Sequence, residues 1–195
     1  MKKGFTLVEV LVSIAVIAII GTILVAIFSN TLRGSNKSQI LAVIKQNGQA
    51  VLENMDKVIR SADYVLCPLA DDDYLVVEKD GIYTRYRFES DSIRQDNPVK
   101  QVVPATGQEE TDDAFIMRVC SMTDLMTDDT ELKVLTDTNT KTGVKVENGK
   151  FIRNRSAGYK DGVTIKFDLK PGIGAPQSVS GQINPVTFQT TVQLR

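Results

Sequence analysis

An uncharged apolar run near the N-terminus constrains this chain more than any other feature. From Val10 to Phe28, 19 consecutive residues carry no charge, and only Ser13, Gly21 and Thr22 interrupt the apolar side chains. A helix rising about 1.5 Å per residue needs roughly 20 residues to cross a bilayer's hydrocarbon core, so the run is long enough to span one. The rest of the 195-residue sequence has no second run of this kind. The sequence therefore predicts at most one membrane crossing, with one small domain on one side.

The residues before the run predict its orientation. Lys2 and Lys3 precede it, and Lys at one end of a membrane helix marks the cytoplasmic side. A cleaved secretory signal fits poorly, because the run is longer than the usual h-region of about 7 to 15 residues. A plain signal anchor fits the length and charge but leaves Glu9 unexplained. A carboxylate in lipid costs about 2 to 3 kcal/mol or more, unless it lies close enough to the headgroups to reach water.

The residues around Glu9 resemble a known leader. Lys2-Lys3-Gly4, followed by FTLVEVLV from Phe5 and then an unbroken apolar helix, is similar to the class III leader of type IV pilins and of the pseudopilins of type II secretion and DNA-uptake machines. The resemblance implies that a prepilin peptidase cuts between Gly4 and Phe5 and methylates the new N-terminal Phe5. It also implies that Glu9, the fifth residue of the mature chain, is used in assembly.

The physical logic of this leader is independent of the resemblance. Cleavage would leave an amine on Phe5 four residues before the Glu9 carboxylate, at the head of an apolar helix. In a staggered bundle, the amine of one subunit can meet the carboxylate of a neighbour, so neither charge stays alone in a medium of low dielectric constant. A buried charge that loses its partner costs about 3 to 5 kcal/mol, so the pair is expected to set the register of assembly.

The remaining sequence predicts an α+β fold. Apolar residues between 40 and 59 recur mostly at helical spacing, with Gly48 on or near the stripe, which predicts that one long helix continues into the head. After Ala62 the period changes to two, with hairpins predicted at Asp80-Gly81 and Asn148-Gly149 and further strands over 163–169 and 186–194. The expected architecture is a long N-terminal helix, membrane-spanning in its first half, packed against an antiparallel β-sheet head.

Domain boundaries follow from these patterns. We expect a leader peptide at 1–4, a hydrophobic transmembrane and assembly helix at 5–33, its amphipathic second half at 34–62, and a globular head at 63–195. Loop composition marks 104–113, 136–143 and 170–185. Residues 115–135 allow a strand followed by a short helix and are left open. The terminal strand and the Asp80-Gly81 region resemble minor pilins of the PilW and J type.

The composition excludes several kinds of chemistry. The chain has no His, which removes the usual general base and the commonest metal ligand. No catalytic residue, cofactor or metal site is predicted. The acidic runs, such as Asp71-Asp72-Asp73, lack the spacing of a calcium-binding loop. A net charge of −1 without a basic cluster argues against nucleic-acid binding, which stays open only for a DNA-uptake filament. Cys67 and Cys120 are either a disulfide, as an extracytoplasmic domain allows, or two buried free thiols.

The predicted function is structural rather than enzymatic. The resemblance implies a minor pilin or pseudopilin whose partners are other pilin subunits, prepilin peptidase, the lipid of the cytoplasmic membrane and an assembly platform. The expected location is the cytoplasmic membrane in a single pass, and a cell-surface filament after assembly. The alternative is an uncleaved, single-pass anchored receptor with an extracytoplasmic binding domain, which leaves the Gly4-Phe5 and Glu9 pattern to chance.

Overall fold

A computed structural model describes residues 6–68, 71–89, 91–100, 107–120, 133–139, 143–172 and 183–195. The chain divides into two compact units, Met1–Ile40 and Leu41–Arg195. The first unit consists, from Leu7 onward, of helix. The second, called the head below, contains the end of that helix and all described strands.

Helix α1 runs without interruption from Leu7–Ser61, as the apolar periodicity predicted. Thr6 begins it, because its hydroxyl accepts the backbone N–H of Glu9 at 3.3 Å and so satisfies one of the free donors of the first turn. Within the head, α1 buries residues three or four positions apart, which lie on one face of a helix: Ile44, Gly48, Val51, Met55 and Ile59. This part of α1 therefore has one buried face.

The strands of the head form two antiparallel sheets. The first sheet has the order β1-β3-β4-β5-β6, and the second has the order β2-β7-β8-β9. Their bounds are β1 (Tyr64–Cys67), β2 (Asp71–Asp72), β3 (Tyr74–Lys79), β4 (Ile82–Phe88), β5 (Ile93–Asp96), β6 (Lys133–Val134), β7 (Val144–Asn154), β8 (Gly162–Pro171) and β9 (Val186–Gln193). A long N-terminal helix followed by antiparallel sheets is the predicted α+β, pilin-like arrangement.

The Asp80-Gly81 hairpin is confirmed. These two residues join β3 to β4 and have φ angles of 52° and 77°, and strand pairing begins directly beside them with Lys79 opposite Ile82. Two consecutive residues with positive φ are typical of a type I′ turn, whose twist matches that of the strands.

The second predicted hairpin is wrong. Asn148 and Gly149 lie inside the continuous strand β7, where they oppose the single residue between Lys166 and Asp168 of β8. This is a β-bulge, with Asn148 at a φ of 52°. A side chain at Gly149 would collide with Phe88, since a Cβ atom there would lie 2.1 Å from the ring's Cγ.

The region left open beyond residue 110 contains a helix. Helix α2 spans Asp112–Cys120 and buries Phe115 and Val119, four positions apart. It begins after Thr111, whose hydroxyl accepts the N–H of Ala114 at 3.4 Å. The strand considered at Phe115 is therefore absent, the loop expected over 104–113 ends earlier, and Leu125 lies outside the described residues.

Aromatic rings connect the two sheets and the helix within the head. Phe88 of the first sheet stacks on Phe151 of the second with ring centroids 4.6 Å apart. Phe167 stacks on Phe188 at 5.3 Å, and the Phe188 ring rests on the backbone of α1 at Gly48. Such pairs contribute about 0.5 to 1.5 kcal/mol beyond their buried area, so these ring contacts hold the two sheets and the end of α1 together within the head.

Candidate assembly site

Glu9 is the one predicted assembly residue that the structure describes. Gly4 and Phe5, the predicted cleavage and methylation positions, lie outside the described residues. Glu9 occupies the first turn of α1, where a carboxylate is favoured by the partial positive charge of the helix N-terminus. Its side chain is exposed, so it is available to a partner.

The backbone N–H and C=O groups of Glu9 both form hydrogen bonds within the helix. The Glu9 N–H donates to the Thr6 carbonyl oxygen at 3.1 Å, and the Ser13 hydroxyl donates to the Glu9 carbonyl oxygen at 2.8 Å. From Thr6 to the C-terminus, no described Lys or Arg forms an ion pair with the Glu9 carboxylate. The main chain therefore holds this carboxylate at a defined place on the helix.

An exposed apolar surface surrounds that charge. Leu7 is 76% exposed and Phe28 is 66% exposed, and every residue between them is exposed as well. The helix is long and apolar enough to cross a membrane, and no residue of its most apolar 18-residue stretch is buried. Such a surface marks contact with lipid or with other proteins. The arrangement can therefore anchor the chain in a bilayer or pack into a bundle, with one carboxylate near its end.

The head carries the other predicted pair. Cys67 at the end of β1 and Cys120 at the end of α2 are bonded, with Cα atoms 5.9 Å apart. Cys67 packs with Val76, Phe115 and Val119 in a buried cluster. The bond therefore links α2 to the first sheet over an apolar contact.

Tyr74 adds a polar link that sequence reasoning missed. Its hydroxyl donates to the Cys120 carbonyl oxygen at 2.5 Å, which satisfies a carbonyl at the C-terminal end of α2. Burial, followed by the nearby charge of Asp72, raises the pKa of Tyr74. The phenol therefore stays protonated and remains a donor. No local pattern could have signalled this contact, because 46 positions separate the two residues.

A buried ion pair in the first sheet was also missed. Arg85 and Asp96 are 5% and 6% exposed, and the Arg85 Nε lies 3.0 Å from an Asp96 oxygen across the β4–β5 pairing. Tyr86 and Phe88 of β4 are buried, and Arg85 and Arg87, which alternate with them, are buried as well. Burial, followed by the neighbouring Arg85 charge, lowers the pKa of Arg87. Both faces of this central strand are covered, which a pattern of period two does not reveal.

Three basic residues of the β7–β8 region, Arg153, Arg155 and Lys160, differ in exposure. Arg155 and Lys160 are exposed, whereas Arg153 is largely buried, with its Nε 2.8 Å from an Asp161 oxygen. The charge of the Arg153 guanidinium is therefore already neutralised by Asp161 within the β7–β8 hairpin. Among the described residues, no group of three or more His, Cys, Asp or Glu is placed to hold a metal ion.

The comparisons with known proteins place the N-terminus in a class. Residues 1–25 match the family model described as the prokaryotic N-terminal methylation motif. That motif is typical of type IV pilins and pseudopilins, and with the long helix and antiparallel sheets it indicates a type IV pilin-like or pseudopilin precursor. Proteins with this motif are structural rather than enzymatic, assemble with other pilin subunits and are processed by prepilin peptidase. No curated protein and no solved structure matches the chain.

Proposed function

We propose that this chain is a minor pilin or pseudopilin, a structural subunit of a type IV pilus, a type II secretion filament or a DNA-uptake filament. The observation that carries the proposal is Glu9, the one carboxylate between Leu7 and Phe28 in the exposed apolar part of α1, which begins within the methylation motif. A bilayer anchor alone gains nothing from a charge there, whereas a bundle of helices gains a register. The length of 195 residues and the loop-rich head support a minor subunit.

The proposed life of the chain begins in the cytoplasmic membrane. Residues 5–33 cross the bilayer once, with Lys2 and Lys3 in the cytoplasm and the head on the other side. Prepilin peptidase removes residues 1–4 and methylates Phe5. The segment 34–62 then connects the anchor to the β-rich globular part at 63–195.

Assembly exchanges lipid for neighbouring helices. The assembly platform extracts the helix from the bilayer, and the exposed apolar side chains between Leu7 and Phe28 pack against other subunits. Because lipid tails and Leu side chains are similarly apolar, this exchange gives little preference for one register over another. The Phe5 amine of one subunit and the Glu9 carboxylate of the next supply that preference.

In the head, we propose that the Cys67–Cys120 bond persists after export. Disulfides are stable outside the reducing cytoplasm, and this one covers a buried apolar cluster rather than an exposed loop. It would hold α2 against the first sheet while the N-terminal helix is extracted from the bilayer.

Replacement of Glu9 tests the proposal. Glu9→Ala leaves the neighbour's amine without its partner at a cost of about 3 to 5 kcal/mol, so incorporation should fall by more than about a hundredfold. The measurement compares the amount of subunit in sheared filaments with the amount in the membrane. Glu9→Gln, which keeps the shape and removes the charge, should fail in the same way, and Glu9→Asp should retain part of the assembly.

Membrane levels serve as the control, because all three variants should insert like the wild type. Wild-type amounts of Glu9→Ala in filaments would overturn the role of the charge. A chain that never enters filaments and keeps its leader would favour the anchored receptor.

A further inference from the structure

The outer edge of β9 differs from every other described sheet edge. In the first sheet, the edge strands are β1, which has four residues and a register shift between Val65 and Cys67, and β6, which has two residues. The other edge of the second sheet is β2, also with two residues. Short or irregular edges of this kind prevent pairing with other chains.

Strand β9 has none of these protections. It is eight residues long and pairs with β8 from Leu169 opposite Val186 to Gly162 opposite Gln193 without a shift. It contains no Lys, no Pro and no charged residue of any kind. No described residue pairs with its outer side, where every second N–H and C=O group points away from β8. The edge is therefore a regular, uncharged template for one more strand.

The side chains of β9 are compatible with a second copy of the same strand. The residues that face outward from the sheet are Thr187, Gln189, Thr191 and Gln193, and all are exposed. In antiparallel self-pairing about a two-fold axis perpendicular to the sheet, the side chains on one face of the strand lie opposite side chains on the same face of the second copy. Centred on Gln189 or Thr190, the pairing brings only Thr and Gln together on the outer face. No charge opposes a like charge, which is the usual penalty for such a contact.

We propose that the head associates with a second copy of this chain through antiparallel β9–β9 pairing, which joins the two four-stranded sheets into one continuous sheet. The main chain supplies the hydrogen bonds, and the uncharged Thr and Gln side chains allow the approach. A closed two-fold pair uses the β9 edge of both copies, so association through this edge stops at two copies.

Cross-linking of the full-length chain in detergent tests this pairing. A photoactivatable residue at Gln189 should give a product of twice the 21.5 kDa chain mass, with β9 joined to β9 in the cross-linked peptide. The same residue at Val134, which is exposed on the short edge strand β6, is the matched control and should give none. A product at both positions, or cross-links from Gln189 only to other proteins or to detergent, would overturn the proposal.

A charge swap separates head pairing from association of the apolar helices. Gln189→Lys should weaken self-association by up to about fivefold, because it brings like charges together across the axis. Mixing it with Gln189→Glu should restore association, and Gln189→Ser should behave like the wild type. Equal association of all variants and mixtures would overturn the proposal. The N-terminal processing of the chain is independent of these outcomes.

Discussion

The contact between Gly48 and Phe188 predicts an unusual response to a helix-stabilising substitution. Gly48→Ala in an exposed helix would stabilise by about 1 kcal/mol, because Ala is a better helix former. Here, the new Cβ would lie 2.2 Å from the Phe188 Cζ. Carbon atoms pack at about 3.5 to 4.0 Å, so the ring would have to move by more than about 1 Å.

The ring has little room to move. Phe188 already stacks on Phe167, with ring centroids 5.3 Å apart, and Phe167 is fully buried. Overpacking of this kind costs about 1 to 3 kcal/mol. Subtracting the gain in helix propensity, we expect Gly48→Ala to lower the free energy of unfolding of the head by up to about 2 kcal/mol.

The assay is denaturant unfolding of the full-length chain in detergent, followed by tyrosine fluorescence. Gly34→Ala is the control, because nothing lies within 4 Å of its added Cβ, and it should leave the transition of the head unchanged. Phe188→Leu should relieve the collision, so Gly48→Ala should be less harmful in that background than in the wild type. If Gly48→Ala instead raises stability by the full helix-propensity gain, the close approach of α1 to β9 is refuted.

Two further predictions concern the disulfide and the bulge. Replacing both Cys67 and Cys120 with Ser should lower the free energy of unfolding by about 4 kcal/mol, since the bond closes a loop with a sequence separation of 53; a variant as stable as the oxidised wild type in thermal unfolding would refute this. Hydrogen bonds from Asn148 at 2.8 Å and Thr187 at 2.6 Å lower the pKa of Asp168, so its contribution to stability is present above the usual aspartate pKa and is lost as the pH falls through the lowered value. Asp168→Asn should therefore reduce the loss of stability on acidification, and identical acid-unfolding curves for the variant and the wild type would contradict the assignment.

The parts of the fold that depend on local sequence were predictable. The long helix follows from one apolar run and one amphipathic stripe, and Gly48, which contacts Phe188, lies on or near that stripe. The Asp80-Gly81 hairpin follows from turn chemistry between two alternating segments.

The same turn chemistry led to a wrong hairpin prediction at Asn148-Gly149. A positive φ at Asn148 serves a bulge as well as a turn, and the local sequence is nearly the same in both cases. Pairing of β8 along both sides of the bulge decides between them, since nine residue pairs keep β7 continuous. That pairing is a property of the whole second sheet and is not visible in the dipeptide.

The candidate functional residues also divide into those that local sequence identifies and those that it does not. Glu9 was identifiable because a charge stands out against an apolar background. The Arg85–Asp96 pair was not, because alternation in β4 places Arg85 on the polar side, and only the strands and loops around it show that this side is covered. Long-range contacts, such as that of Tyr74 with Cys120, leave no periodic trace in the sequence.

The most direct test of the central claim is the intact mass and N-terminal peptide sequence of the protein isolated from its native cells. We predict a chain that begins at N-methylated Phe5, without residues 1–4. An intact chain starting at Met1, in cells with an active prepilin peptidase, would contradict the assignment as a processed filament subunit and would favour an uncleaved anchor.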